Sequence, residues 1–513
     1  MPVSAKIRSF SSSAAILLCS VFLLASCGKP EQIKYVPKNA LAVASVNGKS
    51  IALKAADFKS IWKGIFNKKE DSDTTGIAHK LDDSGIDFFN TAYVYSAKAG
   101  EKTDVVAVIP LADAGKFEAL VVKEEKGAKI TSEAGFKQLI GNTAVYIWND
   151  HTALAAFSKG EDSKKDILAR LMKTVAESDN NSLVSSNAEF KKITSESSDF
   201  SYWVNLKDLS GQYGASAAGS KAAMAGVEKS YLWGSLNFES GEVKADATTE
   251  TVMSQNAKSD IMFGLPVSKD VVGHIPSEKP AAVLALKFDA DKVYQYLAAA
   301  DLLSGLDANL AMAGSSAKEI FEMLSGDLTI AITAANGGMP QGYFELGLRK
   351  EATFNKLVDI FAMQGLIAEE EGYRYVKMYP EYHFITQKDR VYVVNTPELE
   401  KLAADAGHPK PESAIADPMA SGVFGLYFDI NALTAKDSRL SLADRKFISN
   451  LDKVTFTVKQ ESKTTAKSEF SLKLQNKTQN SLQTLLKAAS DYSEDSKKAV
   501  DEFKEAADSV VVQ

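Results

Sequence analysis

A chain of 513 residues, 45% of them hydrophobic, can bury sizeable cores and is long enough for two or more domains. Its formal net charge of −7, with no basic stripe interleaved with aromatics, excludes nucleic acid as a partner. Two cysteines, Cys19 and Cys27, are too few for a disulfide framework, so the cores alone must hold the fold.

Lys6 and Arg8 precede an apolar stretch from Ala14 to Ala25, the length of a secretory signal core and too short to cross a bilayer. The stretch ends in Leu24-Ala25-Ser26-Cys27, which resembles the lipobox of bacterial lipoproteins. The resemblance implies cleavage between Ser26 and Cys27 and a lipid on the Cys27 sulfur. Small side chains fit the peptidase beside the scissile bond, and a thiolate is nucleophilic enough to take the lipid. Two or three acyl chains, at about 0.8 kcal/mol per buried methylene, make such an anchor stable. Residues 1–26 are expected to be the signal peptide and 27–34 a lipidated tether, with the membrane a partner through that anchor. Cys19 leaves with the signal and Cys27 carries lipid, so the mature chain has no free thiol.

Beyond the tether, periodicity alternates between two and three-to-four residues, the pattern of strands interleaved with helices. Leu41 to Asn47 reads as a strand and Ala56 to Phe66 as a helix. Asp71-Ser72-Asp73-Thr74-Thr75-Gly76 echoes a calcium loop, with Asp82 at the twelfth place. Asp82 stands where a bidentate glutamate is usual and Thr75 where Asp or Asn is usual, so a solvated turn is the preferred reading and no metal centre is assigned. Thr91 to Ala97 and Asp104 to Pro110 read as a hairpin across Gly100, and Asp113 to Val122 as a helix. Strands follow near Lys129 to Gln138, Thr143 to Trp148 and Thr152 to Ser158, with Asn149-Asp150 as a turn. Lys164 to Glu177 reads as a helix. Ser178 to Ser186 and Gln212 to Gly226 read as loosely held.

Sliding the chain against itself aligns Leu111–Ser158 with Leu348–Asn395 without gaps. Leu111 meets Leu348, Phe117 meets Phe354, Ile147 meets Phe384 and Leu154 meets Val391. Three flanking pairs follow in the same order: Val36-Pro37 with Ile275-Pro276, Trp203-Val204-Asn205-Leu206 with Tyr427-Phe428-Asp429-Ile430, and Leu232–Glu250 with Lys453–Lys473. Four segments in order indicate two tandem copies of one unit. In the second copy Asn395-Thr396-Pro397-Glu398 supplies a cap, a proline suited to the first helical position and an acid near the positive helix end. The expected fold class is α+β, two similar lobes at 35–258 and 276–476, each an antiparallel-rich sheet with helices packed against it. A helical tail at 477–513 is expected to pack on the second copy through Leu482, Leu485, Leu486 and Ala489.

The lipobox and short spacer, the run Tyr35 to Ala40 and the segment Gly85-Ile86-Asp87 ahead of strands together resemble a family of Bacteroidetes lipoproteins catalogued as a domain of unknown function. The resemblance covers nearly the whole mature chain and implies a cell-envelope location, but no activity. Gly28-Lys29-Pro30-Glu31 lacks the acidic run of many surface-exported lipoproteins of that phylum. That favours a protein facing the periplasm from the outer membrane.

No phosphate-cradling glycine loop, zinc helix, paired Cys-x-x-Cys or Gly-x-Ser-x-Gly elbow occurs. The five histidines have no metal-ligand spacing. No catalytic residue and no cofactor is assigned. Tyr373, Tyr375, Tyr379 and Tyr382, with Phe384, are candidate ligand-facing aromatics, although the spacing is also that of ordinary alternating strands. The leading expectation is a non-catalytic binding or scaffolding module for an envelope protein or glycan. An envelope hydrolase acting on glycans or peptides, and a periplasmic folding or assembly factor, are the alternatives.

Overall fold

The computed structural model describes residues 31–55, 84–100, 102–125, 127–157, 164–213, 226–254, 264–311, 314–334, 340–370, 373–387, 389–405, 407–434 and 439–511. They divide into two units, one of residues up to 213 with 231–245 and 478–511, the other of 226–230 with 246–477. Both units mix helices with antiparallel strands, as the α+β reading expects.

In the first unit the strands are β1 (Ala40–Asn47), β2 (Thr91–Ala99), β3 (Lys102–Pro110), β4 (Ile130–Glu133), β5 (Phe136–Ile140), β6 (Ala144–Trp148), β7 (Thr152–Phe157) and β8 (Phe200–Asn205). Its helices are α1 (Gly48–Lys54), α2 (Ala114–Glu124), α3 (Lys164–Ala176), α4 (Leu183–Ser186), α5 (Ala188–Ser195) and α6 (Leu206–Tyr213). β9 (Val227–Glu239) and β10 (Glu242–Met253) contribute residues to both units. The pairings run β9-β8-β1-β2-β3-β7-β6-β5-β4, every one antiparallel.

The second unit holds α7 (Lys269–Gly273), β11 (Ala282–Lys287), α8 (Ala290–Ala299), α9 (Ser304–Ala311), α10 (Ala317–Met323), β12 (Leu324–Ala334) and β13 (Gln341–Leu348). Then come α11 (Glu351–Met363), β14 (Ile367–Glu370), β15 (Tyr373–Val376), β16 (Tyr379–Gln387), β17 (Arg390–Val394), α12 (Pro397–Ala404) and α13 (Ser413–Ala420). β18 (Phe424–Asp429), α14 (Ile430–Thr434), α15 (Leu442–Ile448), β19 (Leu451–Gln460) and β20 (Thr465–Leu474) complete it. Its pairings run β20-β19-β18-β11-β12-β13-β17-β16-β15-β14, again all antiparallel. Position by position, from β9 or β19 to the edge, the order is that of the first unit.

Local chemistry sets the element ends. Asn47 closes β1 and caps α1 by accepting from the Ser50 amide at 3.2 Å. Asp113 caps α2 by accepting from Gly115 and Lys116. Beneath that cap lies Gly85, with φ +71°, where a Cβ would stand 2.0 Å from the Asp113 carbonyl oxygen. The Gly-Ile-Asp segment is therefore glycine because backbone fills the space a side chain needs. Thr396 caps α12 and Pro397 takes its first position.

In each unit helices pack on both faces of the strands. In the first unit α3 to α5 and Tyr35 pack on one face over Tyr93, Val106, Val108, Ile147 and Leu154. α2 packs on the other over Ala107, Ile109, Ala153 and Ala155. In the second unit α7, α12 and α13 cover the face of Tyr343, Tyr392 and Val394, while α11 covers Leu346, Leu348 and Val391.

Four expectations change. The span Lys129 to Gln138 is two strands, β4 and β5, turned at Ala134-Gly135, both with positive φ. Ser178 to Ser186 is held rather than loose: Leu183 is buried in the core and its amide donates to the Val36 carbonyl, while Lys38 donates to Asn181. The tail helix α16 (Ser481–Val511) begins in the first unit, not on the second copy, with Leu482 against Val46, Ile51, Phe200 and Phe238. Asn480 fixes that start by donating to the Phe238 carbonyl at 2.9 Å.

The fourth change is a register. Val43 pairs with Trp203 and Val283 with Tyr427, which fixes β1 against β11. Counting outward, the row Val43, Tyr95, Val106, Ala156, Val145 corresponds to Val283, Ala331, Tyr343, Val394, His383. The next row, Ser45, Tyr93, Val108, Leu154, Ile147, corresponds to Ala285, Thr329, Glu345, Tyr392, Ile385. Leu154 is thus level with Tyr392 and Ile147 with Ile385, one residue beyond the gapless alignment. A slip of one in a strand moves every side chain to the opposite face. The extra residue is absorbed between β15 and β16, where the pairing shifts between Tyr375 and Val376.

Candidate functional site

The sequence-derived candidates separate. Ser26 and Cys27, and the calcium candidates Asp71, Asp73, Thr75 and Asp82, lie outside the described residues. Among the described residues no group of three potential metal ligands occurs, and no helix is long and apolar enough to cross a membrane.

The aromatics do not form one surface. Tyr373 opens β15 opposite Glu370. Tyr375 is half-buried, level with His383 on β16, their rings 6.2 Å apart. Phe384, one residue along, belongs to the α11 side of the sheet. Tyr379 and Tyr382 are the exposed pair, edge to face at 6.5 Å. They stand with other exposed apolar side chains at one end of β14 to β16. Ile367 pairs with Val376 and Val376 with Tyr379, while the Lys377 amide donates to the Leu366 carbonyl at 2.9 Å. Leu366, Val376, Met378 and Met363 are exposed there, Met378 at 74% and Met363 at 80%.

The corresponding turn of the first unit, between β5 and β6, is closed by a buried carboxylate. Glu125 accepts from the Asn142 amide at 2.6 Å and from the Thr143 amide and hydroxyl. Gly141 leaves room for it, since a Cβ there would meet Glu125 at 2.4 Å.

A second cluster, not singled out in the sequence, lies on the face that α7, α12 and α13 cover. Glu345 of β13 is 2% exposed. It accepts from Tyr343 Oη at 2.5 Å and bonds His274 Nδ1 at 2.8 Å. His274 sits at the carboxyl end of α7, and its Nε2 bonds the Arg390 guanidinium from β17. A guanidinium only donates, so Nε2 accepts and the His274 proton resides on Nδ1, donated to Glu345. Both ring nitrogens are engaged, which leaves none to take a proton from a nucleophile. Tyr343 stacks on Tyr392 at 6.1 Å, and Gln387 donates to the Tyr392 hydroxyl at 3.0 Å. Burial, then the neighbouring Glu345 charge, pushes the Tyr343 phenol far above its ordinary value. Burial likewise raises Tyr392. A second pair on this face joins His383 Nδ1 to Glu400 of α12 at 3.2 Å.

This cluster is hard to see in the sequence because its members are scattered over 117 positions, from His274 to Arg390, and only strand register brings them level. The available signal was the likeness between the two halves of the chain. Tyr35, preceding Val36-Pro37, corresponds to His274, preceding Ile275-Pro276. Val108 corresponds to Glu345, Val145 to His383, and Thr152 to Arg390 through the pairs Pro110 with Thr152 and Gly347 with Arg390. Extending the comparison ahead of Leu111 and Leu348 shows His274 and Glu345 standing where the first unit has Tyr35 and Val108.

The fold and this site define an α+β protein with a polar network inside one of two units of the same strand order. The model of the family Domain of unknown function (DUF4836) matches residues 33–482, and the chain belongs to that family. Comparison with curated proteins returns no match. Two crystal structures of TP0453 are similar at 11% identity. Form IV has a TM-score of 0.27 over 42% of this chain and 79% of that one; form I has 0.28 over 45% and 82%.

Proposed function

We propose that the protein is a lipid-anchored envelope lipoprotein, held through Cys27, whose two units arose by tandem duplication and whose second unit docks an envelope protein. The resemblance of Leu24 to Cys27 to a lipobox supports the anchor, and the shared strand order supports the duplication. One observation carries the docking: the exposed group Met363, Leu366, Val376, Met378, Tyr379 and Tyr382 stands where the first unit closes its turn on Glu125. Exposed apolar groups of this kind mark interaction sites. Two exposed methionines beside tyrosines suit an adaptable apolar protein surface better than a flat sugar face. Both His274 nitrogens being engaged disfavours a hydrolase built on that residue.

The test immobilises the full chain and its Met378→Ser/Tyr379→Ser variant and compares captured envelope proteins, with a glycan array alongside. Proteins retained by the wild type and lost by the variant support the reading. Equal capture by both, or binding confined to glycans, overturns it.

A further inference from the structure

We propose that Arg390, positioned by His274 and flanked by Tyr392, binds a singly charged carboxylate group of a ligand. Arg390 is half-buried, yet among the described residues its side chain bonds only His274 Nε2, and none of their carboxylates forms an ion pair with it. A guanidinium carries five donors in a rigid fork matched to a carboxylate, and with Nη1 on His274 the Nε and Nη2 edge has no acceptor among the described residues. Arg170 and Arg349 illustrate the usual outcome. Arg170 takes Asp104 through Nε and Nη2, and Arg349 takes Asp291 through both terminal nitrogens.

The fold does not need these charges. The first unit builds the same strand order with Tyr35, Val108 and Thr152 in place of His274, Glu345 and Arg390. Burying Glu345 is costly unless it is paired, and proteins keep such local conflicts chiefly at functional sites. Each member of the network has a task. Glu345 fixes the His274 tautomer by accepting from Nδ1, and the exposed Nε2 lone pair then holds one arm of Arg390. Tyr343 supplies the second bond that keeps Glu345 satisfied. Tyr392, two residues from Arg390 on β17, is 2% exposed and accepts from Gln387, which closes the floor of the site beside the guanidinium. The negative charge of Glu345 in the same network favours a carboxylate over a dianionic phosphate, whose second charge would be repelled.

This site does not rest on the docking reading above and is assayed separately. Thermal unfolding of the full chain is followed in acetate, inorganic phosphate and chloride at equal ionic strength. Acetate is expected to raise the Tm above chloride in a saturable manner. Met378→Ser/Tyr379→Ser should respond as the wild type does, whereas Arg390→Gln should show no acetate-specific rise. Arg390→Lys, which keeps the charge without the fork, should weaken the apparent affinity about tenfold, and it carries the test if the Gln variant does not fold. A rise of equal size in wild type and Arg390→Lys, no rise above chloride in the wild type, or a larger response to phosphate than to acetate would overturn the assignment.

Discussion

The two units share a strand order but differ in what they bury. Beneath α3 to α5 the first unit packs Val106, Val108, Val145, Leu154 and Tyr35, an apolar layer. Beneath α7, α12 and α13 the second packs Tyr343, Glu345, Tyr392, His383 and His274 at corresponding places. Since the apolar layer suffices for the sheet, the polar one is a feature added to the fold rather than required by it. The contrast reverses at the β5–β6 and β15–β16 turns. There the first unit satisfies its amides with Glu125 and the second leaves methionine and tyrosine in water.

The sharpest way to break this contrast is to put a second-unit charge into the first. Val108→Glu places a carboxylate where Tyr93, Leu154 and Ile147 surround it and no imidazole stands at the Tyr35 position. It should destabilise by about 3–5 kcal/mol, as an uncompensated buried charge does. Urea denaturation followed by Trp148 and Trp203 fluorescence, both tryptophans lying in the first unit's cores, measures it. A loss below about 1 kcal/mol would mean that this face admits water.

Removing the charge from the second unit is the converse. Glu345→Leu alone strands the Tyr343 hydroxyl and the His274 proton and should cost about 2–3 kcal/mol. Adding His274→Phe, Tyr343→Phe and Arg390→Met should restore stability to within about 1 kcal/mol of wild type or beyond it, because well-packed apolar residues of similar volume replace buried ion pairs without loss. If the fourfold variant stays as unstable as the single one, the network is structural after all.

Alkali separates the same layers more gently. Burial raises the phenols of Tyr93, Tyr95, Tyr146, Tyr343 and Tyr392, and of Tyr427 to about 12. The folded chain therefore holds protons that the unfolded chain releases near pH 10. The stability these groups contribute is intact below pH 10 and declines as pH rises through their folded values. Absorbance at 295 nm should show these tyrosines ionising only with unfolding. Tyr343→Phe should reduce the steepness of the decline, and unchanged steepness would count against a buried Tyr343.

Much of this was readable in the chain. Alternation gave the hairpin β2–β3, and the cap and proline within Asn395 to Glu398 announced α12, because those signals are local. That the two units share a strand order was legible from apolar positions, but the register between them was not. A single residue added between β15 and β16 leaves the apolar spacing plausible while exchanging faces, so His383 aligned with Tyr146 instead of Val145. The same slip sets Arg390 against Ala153 instead of Thr152, while Glu345 and His274 lie outside the aligned stretch. Tyr379 and Tyr382 were found as aromatics, but their separation from Tyr375 depends on the exposed β15–β16 turn, which composition does not specify.

The smallest stability effect belongs to that turn, and it separates exposure for packing from exposure for contact. Met378 and Tyr379 are 74% and 55% exposed, so Met378→Ser/Tyr379→Ser removes little buried area and should change the urea midpoint by less than about 0.5 kcal/mol. Glu125→Ala at the equivalent turn should cost about 1–2 kcal/mol, since it leaves the amides of Asn142 and Thr143 without their acceptor. A serine pair as costly as Glu125→Ala would show that the apolar end of β14 to β16 packs against part of this same chain. A silent serine pair leaves those side chains exposed without a structural reason, as a docking surface requires.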